Sequence, residues 1–383
     1  MKLRNFVIAT LMASVSAPAL ASEWDVRVSG YGEYKVAFAT SDVDNEVGEN
    51  FDGVDIKQDV EIHFIPSIKL DNGITFGANV QLEGNTSSDS IDESFLFVKG
   101  FFGEINLGSE NSAGYKLHIQ SPTVLFFEPD DLEDFFPING SSTFVNTGDD
   151  FTRGPFAETQ VENDRNNDAD RITYYTPYFF GGEKSKSGLR VGFSYARDGS
   201  QDSNAQVDIG DGTGELSNIF DIGAIYQNSF GGIDFGISGR WGTATRESGT
   251  VGGASTTPQV WAAGAKIGFA GFTIGGSFAE QNESGTEDGT GYQVGASYVF
   301  PDSPWSISAV YHHGENVDDE QPFAGADEEI DMFLAGARYK LAKGIDINLF
   351  GAYVSFEEDQ GDFGFGGDDV DGWAIGSGLK IKF

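Results

Sequence analysis

The chain contains no cysteine, only four histidines and three methionines, and just 23 lysines and arginines against 60 aspartates and glutamates. Without cysteine there is no disulfide framework, so stability has to come from another source, such as a closed barrel that pairs every strand edge. A formal net charge of −37 argues against nucleic acid as a partner, because phosphate binding depends on a surplus of cations. Long apolar runs are also missing. No segment after the N-terminus approaches the roughly 20 consecutive apolar residues of a membrane-spanning helix, so entry into a bilayer would require a β-barrel.

What the chain does carry begins with Lys2 and Arg4, an apolar run from Phe6 to Ala13, and the small-x-small triplet Ala19-Leu20-Ala21. This is the pattern of a secretory signal peptide over residues 1–21, cleaved after Ala21, with residues 22–383 as the exported chain. At the other end, Trp373, Ile375, Leu379, Ile381 and Phe383 share one face of a period-two segment, and Ala374, Gly376, Gly378, Lys380 and Lys382 share the other. One face suits lipid and the other a watery lumen, although an edge strand of a soluble sandwich would look the same. The 52 glycines and 33 phenylalanines, with only 39% hydrophobic residues, describe many short turn-rich strands rather than a thick core.

Period-two segments bounded by turn residues fall near 24–40, 54–70, 73–84, 92–101, 103–109, 171–180, 187–198 and 216–228, then 232–246, 258–269, 271–280, 290–300, 304–313, 328–341, 344–357 and 370–383. Sixteen strands is an even number, as an up-and-down antiparallel transmembrane barrel requires. The links alternate in length. Asp71-Asn72-Gly73, Phe230-Gly231-Gly232, Ala270-Gly271 and Lys343-Gly344 read as hairpin turns, while Asp-, Glu-, Gly- and Ser-rich links near 41–53, 199–215, 314–327 and 358–369 read as external loops. Phe101, Phe102, Phe179, Phe180, Phe230, Phe269, Phe300, Trp305 and Phe383 gather at the short-turn ends as an aromatic girdle. In the first strand Trp24, Val26, Val28, Tyr34, Val36 and Phe38 face lipid, leaving Arg27, Tyr31, Glu33 and Lys35 inside. The second places Lys57, Asp59, Glu61 and His63 inside. An inner face with both charge signs implies a water-filled channel. The strand holding Phe95 and Phe97 is apolar on both faces, because Leu96 and Val98 alternate with them, which predicts packing against a subunit neighbour or the long link.

One link is far longer than the rest, spanning residues 110–170. Its aromatic and aliphatic residues, among them Tyr115, Phe126, Phe127, Leu132, Phe135 and Phe136, are too many for a disordered segment. Folding it into the barrel buries these groups on the inner wall and turns Glu128, Asp130, Asp131, Glu133 and Asp134 toward the lumen, which narrows the pore.

The hairpin DNGITFGA (71–78), the segment GFFGEINLGSENSA (100–113) and the terminal aromatic strand together resemble the general diffusion porins of Gram-negative bacteria over essentially the whole mature chain. The resemblance implies a sixteen-stranded outer-membrane barrel, a homotrimer, whose third external loop forms an eyelet with acids facing basic residues across the pore. Carried onto this sequence, the acids are Glu128, Asp130, Asp131, Glu133 and Asp134, and the wall bases Arg27, Lys35 and Lys57. Alternation adds Arg171, Arg190, Arg240, Lys266 and Arg338. The terminal strand ending at Phe383 resembles the signal read by the barrel-assembly machinery, and lipopolysaccharide and outer-membrane lipid are the implied surroundings.

Such a site does no chemistry; opposed charges order water and disfavour apolar solutes. The acidic loops, with Asp42, Asp44, Glu46 and Glu49 or Asp318, Asp319 and Glu320, predict cation selectivity for small hydrophilic solutes and ions. A substrate-specific channel, with the loop aromatics as a slide for sugars, is the alternative. An outer-membrane hydrolase would need His63, His118, His312 or His313 as base, and no nucleophile motif accompanies them. No cofactor is expected; calcium on Asp130, Asp131 and Asp134, or on Asp368, Asp369 and Asp371, is the one metal the acid clusters raise.

Overall fold

The alternation along the chain becomes one antiparallel sheet closed on itself. The computed structural model describes residues 23–43, 53–84, 90–136, 156, 158–160, 168–183, 186–198, 216–246, 257–282, 287–318, 326–358 and 369–383, so the signal-peptide stretch 1–21 lies outside the described residues. The wall runs through β1 (Asp25–Val43), β2 (Gly53–Lys69), β3 (Thr75–Glu83), β4 (Ile91–Gly100), β5 (Gly103–Ser109), β6 (Asp170–Tyr175), β7 (Phe179–Gly182), β8 (Ser187–Asp198) and β9 (Leu216–Phe230). It continues through β10 (Ile233–Arg246), β11 (Gln259–Phe269), β12 (Phe272–Asn282), β13 (Glu287–Val299), β14 (Trp305–Asp318), β15 (Ala326–Ala342), β16 (Ile345–Glu358) and β17 (Val370–Lys382).

Strand β1 pairs with both β2 and β17, which closes the barrel, and the Phe383 and Gly30 backbones exchange two hydrogen bonds of 3.1 Å at the seam. The segment expected as a single strand over 171–180 is broken: β6 and β7 lie end to end along β8, with Tyr175 opposite Gly192 and Phe179 opposite Leu189. Pro177 sits in the gap and has no N–H to give the ladder, so seventeen segments make sixteen crossings. Two hairpins are closed by residues with positive φ, Gly231 (61°) with Gly232 (82°) and Ala270 (52°) with Gly271 (88°). That handedness matches the strand twist, and Ala270 adopts it without the freedom of glycine.

The outward face is apolar as expected, with Trp24, Val26, Val28, Tyr34, Val36 and Phe38 all exposed on β1. At the short-turn end Phe101, Phe180 and Phe230 are 88%, 85% and 83% exposed, as a girdle facing lipid requires. The inward face is only partly the wet surface expected. Ile330, Met332 and Leu334 of β15 and Phe350, Val354 and Phe356 of β16 point inward yet are fully buried, because part of the long link covers them.

That link begins with one helical turn, α1 (Ala113–Lys116), and includes a 3-10 turn at Asp130–Asp134. Between them it tracks the inner face of the wall, and its backbone N–H groups are taken one strand at a time. Ala113 donates to Ser194 Oγ (2.7 Å), Gly114 to the Asp221 carboxylate, Ile119 to Ser238 Oγ (2.9 Å), Ser121 to Gln293 Oε1 (3.0 Å) and Val124 to Ser308 Oγ (3.0 Å). An irregular segment held inside a barrel has no ladder of its own, so these side chains satisfy donors that would otherwise be buried and unpaired. Close approach requires missing side chains as well: a Cβ on Gly264 would stand 1.9 Å from the Ile119 carbonyl oxygen.

Beyond Val124 the segment is held by apolar packing. Phe127 lies edge-on to Phe350 at 4.8 Å, Phe135 is 5.7 Å from the same ring, and Leu132 and Phe136 are buried beside them. Each fully buried side chain of this size contributes about 1.5–3 kcal/mol. Of the two partners expected for β4, the long link supplies one, since the Lys116 ammonium at the end of α1 lies 5.0 Å over the Phe95 ring.

Candidate functional site

The five acids predicted for the lumen lie within this apolar anchor, between Phe127 and Phe135. The 3-10 turn carries Asp130, Asp131, Glu133 and Asp134, and Glu128 precedes it. Asp134 pairs with Lys35 of β1 at 2.6 Å, while Asp131 Oδ2 accepts the Glu128 backbone N–H at 2.8 Å. Glu133 belongs to the turn, but its side chain lies outside the described residues. Asp130 and Asp131 are half-buried, and burial raises the Asp131 carboxyl against the lowering effect of Lys35. Glu128 is pushed up to about 8, first by burial and then by Asp131, and its Oε2 is buried without a hydrogen-bond partner.

The bases divide into four groups. Lys35 is buried between Asp134 and the Phe127 ring, 4.9 Å away, and Lys57 stands directly opposite it in the β1–β2 register. Arg190 and Arg240 belong to ion pairs in the wall, with Glu104 at 3.0 Å and with Asp221 beneath α1, and Arg171 is buried with Nε 3.2 Å from the Ala169 carbonyl oxygen. Arg27 has the expected inward parity but is exposed at the short-turn end, eight residues and roughly 26 Å of extended strand from Lys35. Lys266 and Arg338 line cavities that border the segment.

Two cavities meet at Glu128. One, of about 290 Å³, lies between Val124–Glu128 and the wall and is lined by Asp131, Arg338, Asp346, Lys380 and Lys382. The other, of about 830 Å³, extends toward the short-turn end past His118, Lys186, Asp234 and Lys266. Acids on the inner segment therefore look across a small aqueous gap at Arg338, Lys380 and Lys382. The two terminal lysines were visible as inward-facing in the last strand, but only the closure of β17 onto β1 brings them to the acids. Lys380 also pairs with Glu33 and lies 4.5 Å over the Tyr31 ring. Asp59 of β2 is close enough to Asp131 to feel its charge, so the facing wall is mixed rather than purely basic.

The histidines are dispersed. His63 contacts Glu61 at 3.1 Å, His312 is buried with Nε2 2.8 Å from the Phe156 carbonyl oxygen, and His313 faces outward among carboxylates. His118 borders the larger cavity, its protonation opposed by burial and by Arg240, which lowers it to about 3. Of the acids considered for calcium, Asp371 accepts Tyr353 Oη and Ser355 Oγ, and Asp368 lies outside the described residues.

A closed barrel with a charged inner segment can conduct, and comparison with known proteins agrees. The Gram-negative porin family matches residues 9–359. The chain belongs to that family. No curated protein matches it. Among solved structures, the anion-selective porin of Comamonas acidovorans is 18% identical with a TM-score of 0.62, covering 94% of this chain and 100% of that one. The trimer form of the outer membrane protein OmpT of Vibrio cholerae is 13% identical (TM-score 0.59; 94% and 100% covered). OmpF of Salmonella typhi, in complex with daunomycin, is 17% identical (TM-score 0.59; 94% and 97% covered). At these identities the neighbours establish the porin fold. This porin is thus an outer-membrane diffusion channel of a Gram-negative bacterium.

Proposed function

We propose that the segment Ala113–Phe136 is the constriction of a general, cation-selective diffusion channel for small hydrophilic solutes and ions. The observation that carries this is the gap in which Asp131, joined by Glu128 once that carboxyl ionises near pH 8, faces Arg338, Lys380 and Lys382. Opposed charges across a narrow aqueous neck hold water in order and make apolar solutes pay for its displacement. Cation preference follows from the net charge of −37, with acids concentrated in the links between strands. The Comamonas neighbour is anion-selective, so selectivity here rests on this chain's own charges and not on the fold. Burial of Phe127, Phe135 and Phe136 favours packing over a sugar slide for the loop aromatics, and the dispersed histidines favour a channel without catalysis. The protomer is read as one third of a homotrimer in lipid and lipopolysaccharide, assembled through the strand that ends at Phe383.

The test is reversal potential and single-channel conductance of the purified mature protein in a planar bilayer under a KCl gradient. Ohmic steps in threes with potassium preferred over chloride are expected. Chloride preference at 0.1 M salt would sink the selectivity, and a folded barrel that never conducts would sink the channel reading.

A further inference from the structure

The outer wall of β13–β17 changes character near its long-loop end. Passing up β14, the outward residues Trp305, Ile307, Ala309 and Tyr311 give way to His313 and Glu315, and on β15 Phe333 gives way to Asp331 and Glu329. The register sets His313 opposite Asp331 and Glu315 opposite Glu329, making a two-by-two patch of one imidazole and three carboxylates. His313 Nδ1 lies 2.9 Å from Asp331 Oδ1 and 3.7 Å from Glu329 Oε1, and Nε2 lies 3.1 Å from Glu315 Oε1. The ring is held in place against Tyr292, centroid to centroid 5.0 Å, and Tyr311 donates its hydroxyl to Asp331 Oδ1 at 2.5 Å.

Like charges directly opposite on neighbouring strands repel, and Glu315 with Glu329 is such a pair. A protonated His313 offsets only one of the three negative charges. No lysine or arginine occurs in 287–293, 311–318, 326–333, 353–358 or 369–373, the adjoining stretches of the five strands, so these strands supply no further cation to the patch. The ligand atoms of His313, Glu329 and Asp331 lie within 4.8 Å of one another, and an imidazole nitrogen beside carboxylate oxygens suits zinc better than calcium or magnesium, which prefer oxygen alone.

We propose that His313, Asp331 and Glu329 bind a first-row divalent metal ion on the outer wall, with Nδ1 as the nitrogen ligand. Glu315 then accepts the Nε2–H hydrogen bond, which fixes the tautomer and the ring, as carboxylates commonly do for metal-bound histidine. Cross-linking β14 to β15, the ion stabilises the folded barrel and not the unfolded chain.

The experiment uses the full mature chain without an affinity tag, folded in detergent and stripped with chelator, and titrates Zn2+ by calorimetry. One ion per chain is expected, unaffected by a hundredfold excess of Ca2+. His313→Ala and Asp331→Asn should each weaken binding at least tenfold, while Zn2+ raises the unfolding temperature of the wild type and leaves that of His313→Ala unchanged. The outward side chains leave the ladder intact, and an unchanged heat-shift on a denaturing gel verifies folding for either variant. Absence of stoichiometric binding, or binding that survives both substitutions, overturns the proposal.

Discussion

Protonation of Glu128 should be readable as a change in ion selectivity near neutral pH. Burial and the neighbouring Asp131 push its carboxyl from 4.5 up to about 8, so it is neutral at pH 6 and ionised at pH 10. The cavity it borders, about 290 Å³, is equivalent to a sphere of radius about 4 Å. A cation at its centre then lies about 4 Å from the new charge, worth about 1 kcal/mol in bulk water, or about fivefold in local cation concentration. Chloride is depleted by a similar factor, and the low-dielectric walls make this a lower bound. The assay is reversal potential under a KCl gradient centred on 0.1 M, from pH 6 to 10, for the wild type and Glu128→Gln. The potassium-to-chloride permeability ratio of the wild type should rise several-fold with a midpoint near pH 8. The rise should be absent in the glutamine variant and shrink at 1 M salt, where the Debye length is about 3 Å. An equal rise in Glu128→Gln, or none in the wild type, refutes the reasoning. Stability moves the opposite way: between pH 4.5 and about 8 the native state holds a proton that the unfolded chain releases, so raising the pH across that window destabilises the fold.

Gly264→Ala places a Cβ against the Ile119 carbonyl oxygen and should push the inner segment off the wall toward the lumen without disturbing the β10–β11 or β11–β12 ladders, so single-channel conductance falls while the heat-shift on a denaturing gel stays as in the wild type. Asp221→Asn removes the charge that faces the buried Arg240 and weakens the anchor of Gly114, and a loss of about 3–5 kcal/mol is expected in urea unfolding of the detergent-folded protein, as when one member of a buried pair is deleted.

The wall was legible because its signal is local. Period-two alternation needs no partner to be recognised, which is why the expected boundaries of strands such as 103–109 and 187–198 coincide with β5 and β8. Pro177 was equally visible, yet its cost depends on whether the N–H at that position is needed by a neighbour, and β8 is that neighbour. The inner packing was harder to read. In β15 and β16, Ile330 and Met332 or Phe350 and Val354 alternate with Phe333 or Leu349, and a strand that is apolar on both sides does not say which side meets lipid and which meets protein.

The site was least legible because its pairs join distant parts of the chain. Nothing within a few residues of Lys380 announces Glu33, and nothing near Lys35 announces Asp134; closure of β17 onto β1 creates the first contact and the fold of the long link creates the second. The anchors Ser194, Asp221, Ser238, Gln293 and Ser308 share the same difficulty, being ordinary inward polar residues until a backbone N–H arrives. Their spread over β8, β9, β10, β13 and β14 carries a physical consequence. Removing one serine hydroxyl leaves one unpaired N–H beside a channel that can supply water, costing about 1 kcal/mol, whereas a Cβ at Gly264 demands displacement of the backbone itself. The position of the constriction is therefore governed more by where the wall lacks side chains than by any single hydrogen bond, and small residues on the inner face should outweigh polar ones in setting its width.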